Sequence, residues 1–221
     1  KAVVWLVPWS NLLQQTVKNL SNASHPYREK LNTLFNGRVE VYEKDQLIQG
    51  ANFNPSSVTE QLNIFVFNFS SLRINSRKKD DRKVYQQNGD LESFRETIVD
   101  QNLVLPDTDE TALINVIRSL NPVVIVDESH NAESKLSVEM LNNLNPSFVL
   151  DLTATPKENS NIISFVNALA LKKEHMVKLP VVVYNHHKKE EVISSALHLQ
   201  RQLELLAKDE EKITGKYIRP I

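Results

Sequence analysis

Six apolar runs of strand length punctuate the chain: VVWLVP (3–8), VEVYE (39–43), IFVFNF (64–69), VVIVDE (123–128), FVLDLTAT (148–155) and VVVYN (181–185). The first, third, fourth and fifth are apolar at nearly every position, the pattern of strands covered on both faces. Helical patterns separate them. SNLLQQTVKNL (10–20) opens with Ser10 or Asn11 as an N-cap and spaces Leu12, Leu13, Val17 and Leu20 along one side. DTDETALINVIRSL (107–120) opens with acids and closes near Arg118, charges that suit the two ends of a helix dipole. Strands alternating with helices of this length predict an open, mostly parallel α/β sheet.

Composition narrows the function classes. No run approaches the ~20 apolar residues that span a bilayer. The AVVWLVP that follows Lys1 is too short for a secretion signal and lacks a small-residue cleavage site. Without cysteine there are no disulfides or thiolate metal sites, which suits a cytoplasmic protein. A net charge of −1 gives no global pull toward nucleic acid, so any such contact must be local. The four glycines (Gly37, Gly50, Gly89 and Gly215) are scattered, and none precedes Lys-Ser or Lys-Thr. A phosphate-cradling loop needs glycines so that its backbone can approach the phosphates, and this chain has no such loop.

Two stretches differ from the rest. RINSRKKDDRKVYQQNGD (73–90) mixes charges with few apolar residues and no period, and is expected to be an exposed, flexible insertion. The tail from 186 onward carries a long amphipathic helix, with Val192, Leu197, Leu199, Leu203 and Leu206 as its expected buried stripe. YIRPI (217–221) then reads as the start of a further strand.

The chemistry concentrates at two strand ends. VVIVDESHNAES (123–134) runs four β-branched residues into Asp127-Glu128-Ser129-His130. Two unpaired carboxylates are a poor ending for a buried strand unless a cation, most simply a metal ion, lies beside them. The bland reading, an acidic pair that starts a loop or caps a helix, has about even weight on this run alone. Some twenty residues on, LDLTATP (150–156) ends a second buried strand in Thr153-Ala154-Thr155, hydroxyls able to bond a carboxylate or histidine. The helical NAESKLSVEMLNNL (131–144) between them supplies the crossover expected of adjacent parallel strands. Other features carry less. The adjacent histidines of NHHKK (185–189) point apart with no third ligand evident. Arg77-Lys78-Lys79 is followed directly by two aspartates, and Trp5 sits mid-strand as core.

With these residues in place, VDESH resembles motif II, the DExH box, of superfamily 2 helicases and translocases, and LTATP resembles their motif III. VVWLVPWSNLLQQT then resembles motif Ia, and IFVFNFSSLR the following strand with its polar turn. ISFVNALALKKEHMVKLPVVVYN (163–185) is most similar to the Res subunit of type III restriction–modification enzymes. The resemblance implies a RecA-like, mostly parallel α/β sheet with flanking helices, occupying residues 1–187 and lacking the Walker A segment. Residues 188–221 would be a helix and linker toward a second domain. It implies ATP and Mg²⁺ as cofactors: Asp127 would hold the ion, as such strand-end aspartates often do through water, and Glu128 would act as base on the hydrolytic water. His130, Thr153, Ala154 and Thr155 would couple nucleotide state to a nucleic-acid surface made by Pro8, Ser10, Asn11, Ser70, Ser71 and Arg73. The implied partners are double-stranded DNA, a methyltransferase (Mod) subunit and a second RecA-like domain of the same protein.

The resemblance also implies that the chain is a piece of a longer enzyme, since the phosphate loop would precede Lys1 and a nuclease domain would follow Ile221. A stand-alone DExH helicase and a non-catalytic RecA-like binding module are the rival readings. They divide on the flanking sequence: a stand-alone helicase would show no nuclease motif downstream of Ile221, and the non-catalytic module would show no Walker A lysine upstream of Lys1.

Overall fold

A computed structural model describes residues 1–72, 81–128, 135–156, 161–174, 176, 185 and 187–218. They pack as two units, Lys1–Ser160 and Asn161–Ile221.

The first unit is built on five strands: β1 (Ala2–Val7), β2 (Val39–Glu43), β3 (Leu62–Asn68), β4 (Val123–Asp127) and β5 (Phe148–Leu152). All pair in parallel, in the order β2-β3-β1-β4-β5. The parallel α/β sheet expected from the apolar runs is therefore present, and the strands of the two acidic and hydroxyl-rich ends are neighbours. β5, expected to be covered on both faces, is instead an edge strand with Phe148, Val149 and Leu152 exposed among the described residues. Residues 181–184 of the sixth apolar run lie outside the described residues.

Alternation along the strands divides the core into two layers. Val3 and Trp5 of β1 join Val39, Val41, Ile64 and Val66 on one face. Against them lie α1 (Ser10–Ser21), through Leu13, Val17 and Leu20, and α2 (Pro26–Phe35), through Leu31 and Phe35. Trp5 is thus a core residue, although its indole N–H is buried without a hydrogen-bond partner among the described residues. On the other face, Val4, Leu6, Phe65, Phe67, Val124 and Val126 share a cluster with Leu47 of α3 (Lys44–Ile48), Val58 of α4 (Pro55–Glu60), α5 (Leu113–Ser119) and residues of the β3–α5 connection. At the centre of that layer Phe53 stacks on Phe94 (4.8 Å between ring centres), Phe65 (5.3 Å) and Tyr42 (5.7 Å).

The stretch expected to be an exposed insertion divides in two. Residues 73–80 lie outside the described residues, whereas most of 83–90 are exposed, as expected, yet the segment is anchored to the core at Val84, Tyr85 and Asn88. Val84 is completely buried, the Tyr85 hydroxyl donates to the Leu72 carbonyl at 2.7 Å, and Asn88 Nδ2 donates to the Ile48 carbonyl at 2.6 Å. Gly50, with φ +61°, lets this segment close: a Cβ there would stand 2.8 Å from the Asp90 carbonyl oxygen. The polar sequence hides this anchor because Val84 and Tyr85, adjacent in one short 3₁₀ helix (Asp81–Tyr85), both pack on the core but leave no period to detect. Arg95 then ties the following segment to Glu92, Asp109 and Glu110 at 2.7, 3.3 and 3.1 Å.

Helix ends also depart from the sequence reading. The N-cap of α1 is Trp9, not Ser10 or Asn11, and no side chain caps the helix. The acids at 107–110 precede α5, whose N-cap is Ala112. Arg118 serves a different helix end. Its guanidinium donates to the carbonyls of Asn142 (2.8 Å) and Asn143 (3.2 Å), closing the last turn of α6 (Lys135–Asn143), and to that of Leu103 (2.6 Å).

The second unit holds α7 (Ala168–Lys173) and α8 (Lys189–Thr214). Asn167 caps α7 by accepting from the Ala170 N–H at 2.9 Å, and Gly215 ends α8 in the left-handed region. The expected stripe on α8 holds in part. Val192 and Leu199 are half-buried and Ala207 is buried, but Leu197, Leu203 and Leu206 are exposed. Tyr217 and Ile218 form no strand, and 219–221 lie outside the described residues. No helix among the described residues is long and apolar enough to cross a membrane.

Candidate functional site

Because all five strands are parallel, their carboxyl ends open along a single edge of the sheet, where open α/β folds bind ligands. Register fixes what lies side by side there. Val126 pairs with Leu6 of β1 and with Asp151 of β5, and Asp127 pairs with Leu152. Pro8, Asp127 and Thr153 therefore emerge together, each at the end of one of three adjacent strands.

Asp127 is half-buried, and its carboxyl is held above the ordinary aspartate range, first by burial and then by the neighbouring Glu128 carboxylate. A hydrogen bond from the Glu128 backbone opposes this without cancelling it. Glu128 leaves the strand with φ +53°, a left-handed conformation that costs a non-glycine residue about 1–2 kcal/mol. Beside them, Thr153 Oγ1 accepts from the Thr155 N–H at 3.1 Å and lies 3.5 Å from the Thr155 hydroxyl, so the Thr153–Thr155 segment folds into a compact hydroxyl turn. Thr153 is half-buried, while Ala154 and Thr155 are exposed. His130 lies outside the described residues.

The chemistry of this pair suits a divalent cation. A carboxyl penalised by burial and by an adjacent carboxylate recovers that cost when a metal ion binds, and hard oxygen donors match Mg²⁺. For the phosphates of a nucleotide the chain offers less: Gly37, Gly50 and Gly215, its three positive-φ glycines, close turns and a helix end far apart in sequence.

The raised Asp127 pKa makes a testable statement about stability. Its carboxyl binds a proton more tightly folded than unfolded, so ionisation costs stability as pH rises through the folded pKa. The stabilising contribution is complete only below the unfolded value, near 4. Asp127→Asn is expected to raise the melting temperature at pH 7 by about 1–3 °C, the difference closing on acidification toward pH ~4. Thermal melts across that range check it. An unchanged or lowered melting temperature at neutral pH would refute the burial argument.

Farther along the same edge, the ends of β1, β2 and β3 enclose an open cleft of about 270 Å³. Ser10 and Gln14 of α1 form one wall. The others come from Glu43, Lys44 and Asp45, where β2 runs into α3 (Lys44–Ile48), and from Asn68, Ser70 and Ser71 after β3. Thus Ser10, Ser70 and Ser71, sixty residues apart in sequence, meet in one place. Pro8 is half-buried beside them and Asn11 exposed; Arg73 lies outside the described residues. Ser71 is buried, and the Ser70 and Ser71 hydroxyls both donate to Asn68 Oδ1, at 2.8 and 2.6 Å.

Gln14, the Glu43–Asp45 corner and Asn68 were not legible as site residues from sequence. Knowing that β2 and β3 are parallel would have placed Glu43 and Asn68 at the same edge.

An all-parallel sheet packed on both faces except at its exposed edge strand β5, with paired carboxylates and a hydroxyl turn gathered at its carboxyl edge, defines a RecA-like α/β domain. Residues 1–158 match the family model described as "Type III restriction enzyme, res subunit", and the chain belongs to that family, one of helicase-type ATPase motors. Comparison with curated proteins finds no match.

Proposed function

We propose that this chain carries the nucleic-acid-driven ATPase core of a type III restriction enzyme, in which ATP turnover powers movement or switching on double-stranded DNA. The observation that carries the reading is the juxtaposition at one sheet edge of the half-buried Asp127-Glu128 pair, the Thr153–Thr155 turn and the β1–α1 junction. Bound Mg-ATP would supply the scissile phosphoanhydride. Asp127, whose ionisation the fold penalises, would hold the cation, directly or through water. Glu128 would take the proton of the attacking water on its carboxylate. Thr153 and Thr155, with His130, would transmit the state of that site toward the cleft, where Pro8, Ser10, Asn11, Arg73 and the Ser70–Ser71 turn would meet the DNA backbone. Neutral hydroxyls, amides and helix ends suffice for such contacts, which agrees with a net charge of −1. A Mod subunit and a second RecA-like domain would complete the assembly.

The reading is tested on the chain and on the intact enzyme together. Lacking a glycine-rich loop in its sequence, the 221-residue chain alone is expected to show neither micromolar Mg-ATP binding nor ATP hydrolysis. The intact enzyme should show DNA-stimulated hydrolysis. Calorimetric titration and a phosphate-release assay, with and without duplex, measure both. Micromolar binding or turnover by the chain alone would place the nucleotide site on residues other than these. An intact enzyme inert toward ATP would favour the non-catalytic binding module.

A further inference from the structure

Two of the four glycines follow an asparagine, at Asn36-Gly37 and at Asn88-Gly89. Asparagine is thermolabile because the backbone nitrogen of the next residue can attack its side-chain carbonyl. Glycine hinders that attack least, since it has no Cβ and rotates freely. Both glycines stand in open space, with nothing within 4 Å of where a Cβ would lie. On local sequence the two asparagines are equivalent.

Folding separates them. The Asn88 amide is tied at both ends: Nδ2 donates to the Ile48 carbonyl at 2.6 Å, and Oδ1 accepts from the Asp90 N–H at 3.0 Å. Its backbone N–H donates to Thr111 Oγ1 at 2.9 Å. Bringing its side-chain carbon onto the Gly89 nitrogen means breaking bonds that hold this segment to the core. Asn36 is the exposed C-cap of α2, left-handed at φ 52° and ψ 40°. Its side-chain amide makes no hydrogen bond among the described residues. One contact resists ring closure there: the Gly37 N–H donates to the Asn32 carbonyl at 2.8 Å, which also accepts from the Asn36 N–H. A shared bond at a helix end opens readily, and opening it moves only exposed residues.

We propose that Asn36 is a site of spontaneous covalent modification in the folded chain, and that Asn88 is protected from it. The Gly37 nitrogen bonds to Asn36 Cγ and the Cγ–Nδ2 bond breaks. Nδ2 leaves as ammonia, carrying the proton that the Gly37 nitrogen gives up. The cyclic imide then takes up one water. Opening at Cγ leaves aspartate; opening at the backbone carbonyl leaves isoaspartate, in which the main chain runs through Cβ and Cγ.

Either product adds a negative charge at the C-terminus of α2, the end that the helix dipole already makes negative. Isoaspartate also inserts a main-chain carbon between Phe35 and Val39, which pack in one layer. The Arg28 guanidinium, on α2, donates to the Val39 carbonyl at 2.8 Å, so the added length falls within a closed corner. The modification loosens the join of α2 to β2. Its free carboxyl is the group that isoaspartyl carboxyl methyltransferases take as substrate.

The test ages the 221-residue chain in warm, mildly alkaline buffer, both folded and in urea. Isoaspartate is located by peptide mass spectrometry and by labelled methyl transfer from an isoaspartyl methyltransferase. In the folded chain Asn36 is expected to convert about tenfold faster than Asn88, and in urea the two rates should converge. Asn36→Gly keeps the left-handed backbone and should remove the label at this position. The converted fraction, separated by its added charge, should melt below fresh protein, whereas Asn36→Gly aged alongside should not change. Equal rates in the folded chain, or faster conversion at Asn88, would overturn the protection of Asn88. Conversion at both positions in urea but none at Asn36 when folded would overturn the site itself. Isoaspartate-bearing chain that melts like fresh protein would overturn the loosening of the α2–β2 join.

Discussion

In the intact enzyme, Glu128→Gln is expected to bind Mg-ATP about as well as wild type and to lose turnover by about 10²–10⁴-fold. The amide matches the carboxylate in size and still hydrogen-bonds the water, but it cannot accept the water's proton. Nucleotide affinity therefore survives while the chemical step fails. Asp127→Asn should divide the other way. The cation loses its charged ligand, so Mg²⁺-dependent binding weakens first, and hydrolysis falls with it. Steady-state ATPase measured together with nucleotide affinity distinguishes the two. Near-normal turnover by the Glu128 variant would end the assignment of Glu128 as base. It would also leave its left-handed backbone, φ +53°, without a functional account.

The largest stability effect is expected at Phe53, 1% exposed and ringed by Tyr42, Phe65 and Phe94. Phe53→Ala removes a ring from three aromatic contacts and leaves a cavity that the flanking strands cannot close. The expected cost is about 3–5 kcal/mol. Against the 5–15 kcal/mol typical of a domain, that should leave the first unit near the edge of folding at 37 °C. Phe53→Leu keeps most of the volume and should cost only about 1–1.5 kcal/mol. Denaturant midpoints with unchanged slopes would report both. A loss below about 1 kcal/mol in Phe53→Ala would mean that the site collapses freely and that the aromatic cluster is not the keystone of this layer.

Phe53 also shows where sequence reading stops. It lies outside every apolar run, in GANFNP (50–55), and nothing local marks it as core. Its burial follows from Gly50 and the Asn88 bond to Ile48, which bring residues 81–94 down onto the β2–β3 connection. Residues 81–90 were obscured for the same reason: a single buried valine and tyrosine in polar surroundings have no period to detect. Helix caps misled because Ser and Asn are good caps in general, yet backbone geometry assigned the role to Trp9.

The sequence by itself determined the strands, their parallel arrangement and the two chemical clusters. Apolar runs covered on both faces admit few folds, and Asp-Glu or Thr-Ala-Thr at a strand end is a local pattern. What only the tertiary structure decided is neighbourhood. Strand order placed Asp127 beside Leu152 and brought Ser10 to Asn68, Ser70 and Ser71. Strand order arises from which faces bury best against which helices, a property of the whole packed sheet that no single stretch of residues contains.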